Sequence, residues 1–222
     1  MTHPISEPGS ATRQPKAESF LDWFQINSRW ITIGAIVVAV VAFGVWFVQR
    51  KNLNEMISAD RQLVVAKQSL QSGNAPLAEA DLKKVADKYA DKAAGAEAGL
   101  LLAQVKFERG DFAGATTSLR ELATKVTDGP NAASVRGLLG DALAQQDKAA
   151  DAAVEYEKAA AATTMNNEKS FWQSKAARAY LDAGKTAEAK KLLEVLAAQT
   201  ENEAVATEAH VRLGELAMAG KR

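Results

Sequence analysis

The sequence predicts an all-α protein: a single N-terminal transmembrane helix followed by a helical solenoid of about four helix pairs plus a capping helix. Three observations carry this. An uncharged apolar run, ITIGAIVVAVVAFGVWFV, extends from Ile31 to Val48. Beyond it, small and apolar residues recur at helical spacing with no alternating strand pattern. That helical pattern then returns every 37 residues.

Composition narrows the functions before any motif is weighed. The 222 residues, 47% hydrophobic, can hold one sizeable core and an appendage. Lys+Arg and Asp+Glu are equal at 27 each, with no polybasic stretch, so no nucleic-acid partner is expected. There is no cysteine, and His3 and His210 are the two histidines, which argues against thiol chemistry and metal sites.

Residues 1–17 contain three of the five prolines and few large apolar groups, too little to offset the entropy of ordering, so a disordered tail is expected. Phe20, Trp23 and Phe24 in residues 18–28 stand at helical spacing, as in a short interfacial helix or an extension of the next one. The first division is therefore residues 1–29. Residues 30–49 form the transmembrane helix. An apolar helix of this length covers roughly 27 to 30 Å, close to the thickness of a hydrocarbon core. Trp30 and Trp46 stand near its ends, and Arg29, Arg50 and Lys51 flank it. A cleaved signal peptide fits poorly, since 29 residues precede Trp30 and no small-residue cleavage site follows the run.

Residues 50–222 are read as the solenoid. GNAPLA at Gly73, GDFAGA at Gly110 and GKTAEA at Gly184 share a register with the segment after Asp147, placing Ala78, Ala115, Ala152 and Ala189 in one row. Leu82, Leu119, Tyr156 and Leu193 follow at i+4, and Val85, Leu122, Ala159 and Leu196 at i+7, all on one helix face. Upstream, small residues recur at Ala66, Ala103, Gly140 and Ala177, and one further step reaches Gly214. These rows are the expected packing positions. The glycine ends each first helix in the left-handed conformation, and Asn74 or Asp111 caps the second. Pro76 falls in a first turn and Pro130 in a connection. Residues 203–219 would close the open end.

The segment Leu138 to Ala160, LLGDALAQQDKAADAAVEYEKAA, resembles a tetratricopeptide repeat through Leu139, Gly140, Ala152, Tyr156 and Ala159. The tail, the span INSRWITIGAIVVAVVAFGVWFVQRK and the divergent repeats together resemble the YfgM-like family. That resemblance implies a single-pass protein of the bacterial inner membrane with its repeat domain in the periplasm. It further implies that the protein is an ancillary subunit of the SecYEG translocon, in contact with periplasmic chaperones such as PpiD and with nascent secreted chains. The alternative is a structural or assembly subunit of another bacterial membrane complex. Arg13, Lys16 and Arg29 precede the span, whereas Arg50, Lys51, Arg61 and Lys67 follow it, so flanking charge leans slightly toward a cytoplasmic domain. The resemblance implies the periplasm, and that is the expectation adopted.

No catalytic constellation, cofactor site or small-molecule substrate is read from the residues. Glu155 with Glu157 and Glu201 with Glu203 are expected as solvated charges on different helix faces. In tetratricopeptide solenoids the first helix of each pair lines the concave surface. The corresponding rows read Leu70, Phe107, Ala144, Leu181 and Met218; Lys67, Gln104, Asp141, Arg178 and Glu215; and Leu63, Leu100, Gly137, Ser174 and Val211. Leu63, Lys67, Leu70, Leu100, Gln104, Phe107, Asp141, Arg178, Leu181 and Met218 are the candidate partner contacts, with inner-wall packing as the competing role. Phe171, Trp172 and Tyr180 are expected first as core.

Overall fold

The computed structural model describes residues 16–200 and 202–219. The described residues are helical apart from turns and short connections: α1 (Lys16–Gln71), α2 (Ala75–Lys88), α3 (Ala93–Glu108), α4 (Phe112–Lys125), α5 (Ala132–Ala144), α6 (Ala149–Ala162), α7 (Asn166–Asp182), α8 (Thr186–Ala197) and α9 (Glu203–Ala219). The tail expected at residues 1–17 lies outside the described residues except for Lys16 and Ala17, which open α1. Glu201 lies outside them too.

The chain divides into two compact units at Asn54 and Glu55. In the first, the described apolar side chains of α1 from Trp30 to Val48 are exposed, with Trp30 74%, Val38 68% and Trp46 57% accessible. A core helix of a soluble domain buries one face. This helix buries none over its most apolar window, and it is long and apolar enough to cross a membrane.

The second unit is a stack of antiparallel helices in which each of α2 to α8 packs on the next, ending with α8 against α9. It comprises four pairs, with Glu55–Gln71 of α1 as the first member of the first pair and α9 as the closing helix. Local chemistry sets the joints. Gly73, Gly110 and Gly184 have φ of 75, 73 and 72°, and Asp147, in the same register, has φ of 58°. Each therefore turns the chain through the left-handed region, which glycine enters without steric cost. The residue after the turn donates its N–H back to the closing helix: Asp111 to Lys106 O at 2.9 Å, Lys148 to Leu143 O at 3.0 Å and Lys185 to Tyr180 O at 2.8 Å. The next helix starts on Asn74 Oδ1, which accepts from Leu77 N at 3.2 Å, and on Asp111 Oδ1, which accepts from Gly114 N at 2.9 Å. Lys148 and Lys185 supply no such bond at the later joints.

Between the helices the small residues disappear from solvent. Ala66, Ala78, Ala103, Ala115, Ala152 and Ala189 are fully buried, Ala177 is 1% exposed, and Gly140 is buried. The i+4 row supplies the bulk, with Leu82 and Leu119 at 0%, Tyr156 at 4% and Leu193 at 5%. Each such side chain contributes about 1.5–3 kcal/mol by leaving water. Gly214 departs from the row: it is exposed, and a Cβ there would meet nothing within 4 Å. Among the described residues no helix follows α9 to cover that face. Polar ties add register. Gln146 Nε2, in the turn after α5, donates to Thr116 Oγ1 at 2.6 Å and Phe112 O at 3.0 Å in α4.

Nothing lies within 4 Å of a Cβ added at Gly110, so its substitution isolates backbone strain. Gly110→Ala is expected to cost about 1 kcal/mol, and Asp147→Gly, which relieves the one non-glycine left-handed turn among the described residues, to gain less than about 1 kcal/mol. Urea unfolding of the detergent-solubilised chain reads both. A Gly110→Ala midpoint at or above that of the unmodified chain would contradict the account of the joint.

Candidate functional site

The first helices of the later pairs border two clefts that share Lys175, Arg178 and Asp182. One, of about 460 Å³, is lined by Phe107 of α3, Asp141 and Ala144 of α5 with Gln145 just after it, Tyr156 of α6, and Lys175, Arg178, Ala179 and Asp182 of α7. The other, of about 560 Å³, lies between α7, α8 and α9. Phe171, Ser174, Ala177 and Leu181 line it with the shared residues, together with Leu193, Leu196, Val205, Glu208, Ala209 and Arg212.

A polar knot occupies the first cleft. Asp141 Oδ1 accepts from the Tyr156 hydroxyl at 2.6 Å and from Lys175 Nζ at 2.5 Å. The same ammonium stands 5.1 Å from the Tyr156 ring centre, 5.4 Å from Phe171 and 5.5 Å from Trp172. A carboxylate and three ring faces thus balance one half-buried charge. Two glycines of α5 make the space. A Cβ at Gly137 would meet the Trp172 ring at 2.1 Å, and one at Gly140 would meet Tyr156 at 2.6 Å. The two rings consequently stack, 6.2 Å apart and 13° from parallel.

Of the ten candidate contacts, Phe107, Asp141, Arg178 and Leu181 line these clefts. The others sit elsewhere. Lys67 pairs with Glu97 at 2.5 Å, Leu70 is half-buried against the apolar cluster that holds Leu82 and Leu102, Gln104 is exposed, and Met218 is 67% exposed on α9. Leu63 is a correction: it is 5% exposed and packs with Leu82 and Ala98, because its face of α1 is covered by the next two helices. Leu100 is half-buried against the clusters that hold Leu119 and Val135, the wall-packing alternative. Phe171 is another correction. Tyr180 is buried and Trp172 half-buried, but Phe171 is 51% exposed at the cleft mouth. Glu155 is not solvated either: its side chain is 13% exposed, held by Arg136 of α5 at 3.1 Å and by Lys158 of its own helix at 2.7 Å.

Sequence reasoning missed Lys175, although a signal was present. The equivalent positions one, two and three repeats earlier are Leu138, Leu101 and Val64, so a lysine there breaks an apolar row. Every buried side-chain nitrogen and oxygen among the described residues is hydrogen-bonded. No group of three or more His, Cys, Asp or Glu among them is placed to hold a metal ion. The surface thus offers apolar area and paired charge, which suits protein contacts.

Two measurements check this arrangement. Gly137→Ala drives a methyl into the Trp172 ring and should destabilise the chain by about 1–3 kcal/mol in urea unfolding, where an unchanged midpoint would refute the close approach. The phenols provide a pH test. Burial first, then the hydrogen bond to Asp141, raises the Tyr156 hydroxyl far above its ordinary range. Burial, then the bond to Glu157, pushes Tyr180 up to about 12. The native chain then keeps protons that the unfolded chain releases, so this stability is full below pH about 10 and is lost as pH rises through about 12. Across that window the melting temperature should fall more steeply for the unmodified chain than for the Tyr156→Phe, Tyr180→Phe variant. Parallel curves would remove the phenols from the account.

Solved structures share this architecture. A Podosopora anserina protein with nearly identical TPR-like repeats is 21% identical, with 73% of this chain and 87% of that one covered at a TM-score of 0.55. A tetratricopeptide repeat protein from Parabacteroides merdae is 14% identical, with 70% and 59% covered at 0.55. BtubC (BKLC) from P. vanneervenii is 16% identical, with 70% and 64% covered at 0.52. At these identities the likeness shows the fold alone. No curated protein matches the sequence. A tetratricopeptide repeat model matches residues 174–222. Repeats of this kind typically act as non-catalytic modules for protein–protein interaction. Residues 21–135 and 48–176 match the model of the tetratricopeptide repeat-like domain, and the chain belongs to that family.

Proposed function

We propose that the chain is a membrane-anchored interaction module acting as an ancillary subunit of the SecYEG translocon, where it links the translocon to periplasmic chaperones. The observation that carries the reading is an apolar helical stretch with no buried residue over its most apolar window, in the same chain as a stack of tetratricopeptide-like pairs. In this reading residues 30–49 anchor the protein in the inner membrane and residues 50–222 extend into the periplasm. Tethering then does the work. A partner held at the bilayer by one contact meets a second contact at raised effective concentration, which strengthens weak binding without any new interface. The mixed apolar and charged surface along α3, α5 and α7 suits partners that present partly unfolded, amphipathic segments.

Affinity purification of the tagged full chain from detergent-solubilised bacterial membranes should recover translocon subunits and a periplasmic chaperone. Protease added to spheroplasts should remove a tag placed after residue 222. A protected tag would reverse the orientation, and stoichiometric recovery with an unrelated membrane complex instead would make the chain a subunit of that complex.

A further inference from the structure

The repeat register shows one helix face without a cover. In α3, α5 and α7 the places equivalent to Arg61 are held by Ala98, Val135 and Trp172, and those equivalent to Val65 by Leu102, Leu139 and Ala176. Five of these are buried and Trp172 is half-buried, because the preceding pair packs over them, as α2 does over Ala98 and Leu102. The stretch Glu55–Gln71 of α1 opens the series, and among the described residues no second helix of a pair precedes it. It buries its other side, where Ala59, Leu63 and Ala66 pack with Leu82 and Ala98. The outward side leaves apolar groups uncovered, with Ile57 41%, Val64 64% and Val65 56% exposed.

Charge says what covers this face. Of the four charged residues from Glu55 to Gln71, Glu55 pairs with Lys92 and Lys67 with Glu97. The other two, Asp60 and Arg61, are exposed and form no ion pair within 4.0 Å among the described residues. At helical spacing they flank the line through Ile57 and Val64, one on each side. An apolar second helix, such as covers this face in the later pairs, would strand Arg61 without a counter-charge. A second copy of the chain does not. A twofold axis that sets two such stretches side by side in the same direction brings each Asp60 to the other copy's Arg61, while Ile57 and Val64 meet their own counterparts. β-Branched residues seven apart on such a seam favour two parallel strands.

We infer that two copies anchored in the same membrane associate through this face of α1, with Ile57 and Val64 at the seam and Asp60 of each copy paired with Arg61 of the other. The patch is small. Anchoring in one bilayer supplies the common direction and the raised effective concentration that so weak a contact needs. The inference rests on the reading of α1 as a membrane anchor, and on neither the translocon nor the side of the membrane.

The sequence has no cysteine, so a single introduced thiol reports its own neighbour. In bacterial membranes holding the full chain, Val64→Cys oxidised with copper phenanthroline should give a disulfide-linked band of twice the chain mass. Leu77→Cys, at an exposed place on α2, should give several-fold less. In the Val64→Cys background, Arg61→Asp gathers four carboxylates at the seam and should cut the linked fraction several fold, and adding Asp60→Arg should restore it. All of these positions are exposed, so the substitutions leave the buried core intact. A monomer band alone, equal linkage from Leu77→Cys, a charge swap that fails to restore linkage, or an adduct of another mass overturns the inference. Linkage without translocon recovery leaves the paired copies standing and removes the proposed function, whereas translocon recovery with monomer alone does the reverse.

Discussion

The repeat domain depends on one constraint: a short amphipathic helix cannot bury its apolar face alone, so a small residue on one helix must accept a large residue from its neighbour. Ala66, Ala103, Gly140 and Ala177 supply the small side, and Leu82, Leu119, Tyr156 and Leu193 the large. Helices of 12 to 17 residues, such as α8 and α7, are marginal in water by themselves. Their stability comes from stacking, so every pair needs the next, and α9 closes the series by covering Leu193 and Leu196.

The same constraint shapes the polar surface. Opening α5 with Gly137 and Gly140 draws Trp172 and Tyr156 inward, and the rings in turn form the wall against which Lys175 lies. Asp141 completes the arrangement from the neighbouring helix. Packing and electrostatics are therefore not separable at this joint. Gly137 faces Trp172 between α5 and α7, whereas Ser174 and Ala209 stand at the equivalent places between α7 and α9, where Ala209 is buried with Leu193.

The apolar helix obeys a different rule. Within the repeats a helix has two kinds of surface, and the buried one is defined by a neighbour. Over Ile33 to Val48 the side chains are apolar whichever way they point, and none is buried against another described element. The physical partner of such a helix is a medium, not another element, which is why a hydropathy run reads clearly where a repeat row must be aligned to be seen.

The sequence by itself determined the helical class, the 37-residue period, the left-handed turns at Gly73, Gly110 and Gly184, the caps at Asn74 and Asp111, and the closing helix Glu203–Ala219. Each of these is set by local chemistry or by spacing along one helix. Of the candidate contacts, Phe107, Asp141, Arg178 and Leu181 belong to two adjacent rows of successive first helices, and they line the clefts. Tertiary structure alone decided that Leu63 is core, that Glu155 is held in ion pairs, that Gly214 faces open space, and that Lys175 is encircled by rings. Those outcomes depend on which residue of a different helix stands opposite. A periodic sequence specifies that neighbours exist, but the size and charge of the side chain across each joint decide what is filled, paired or left open.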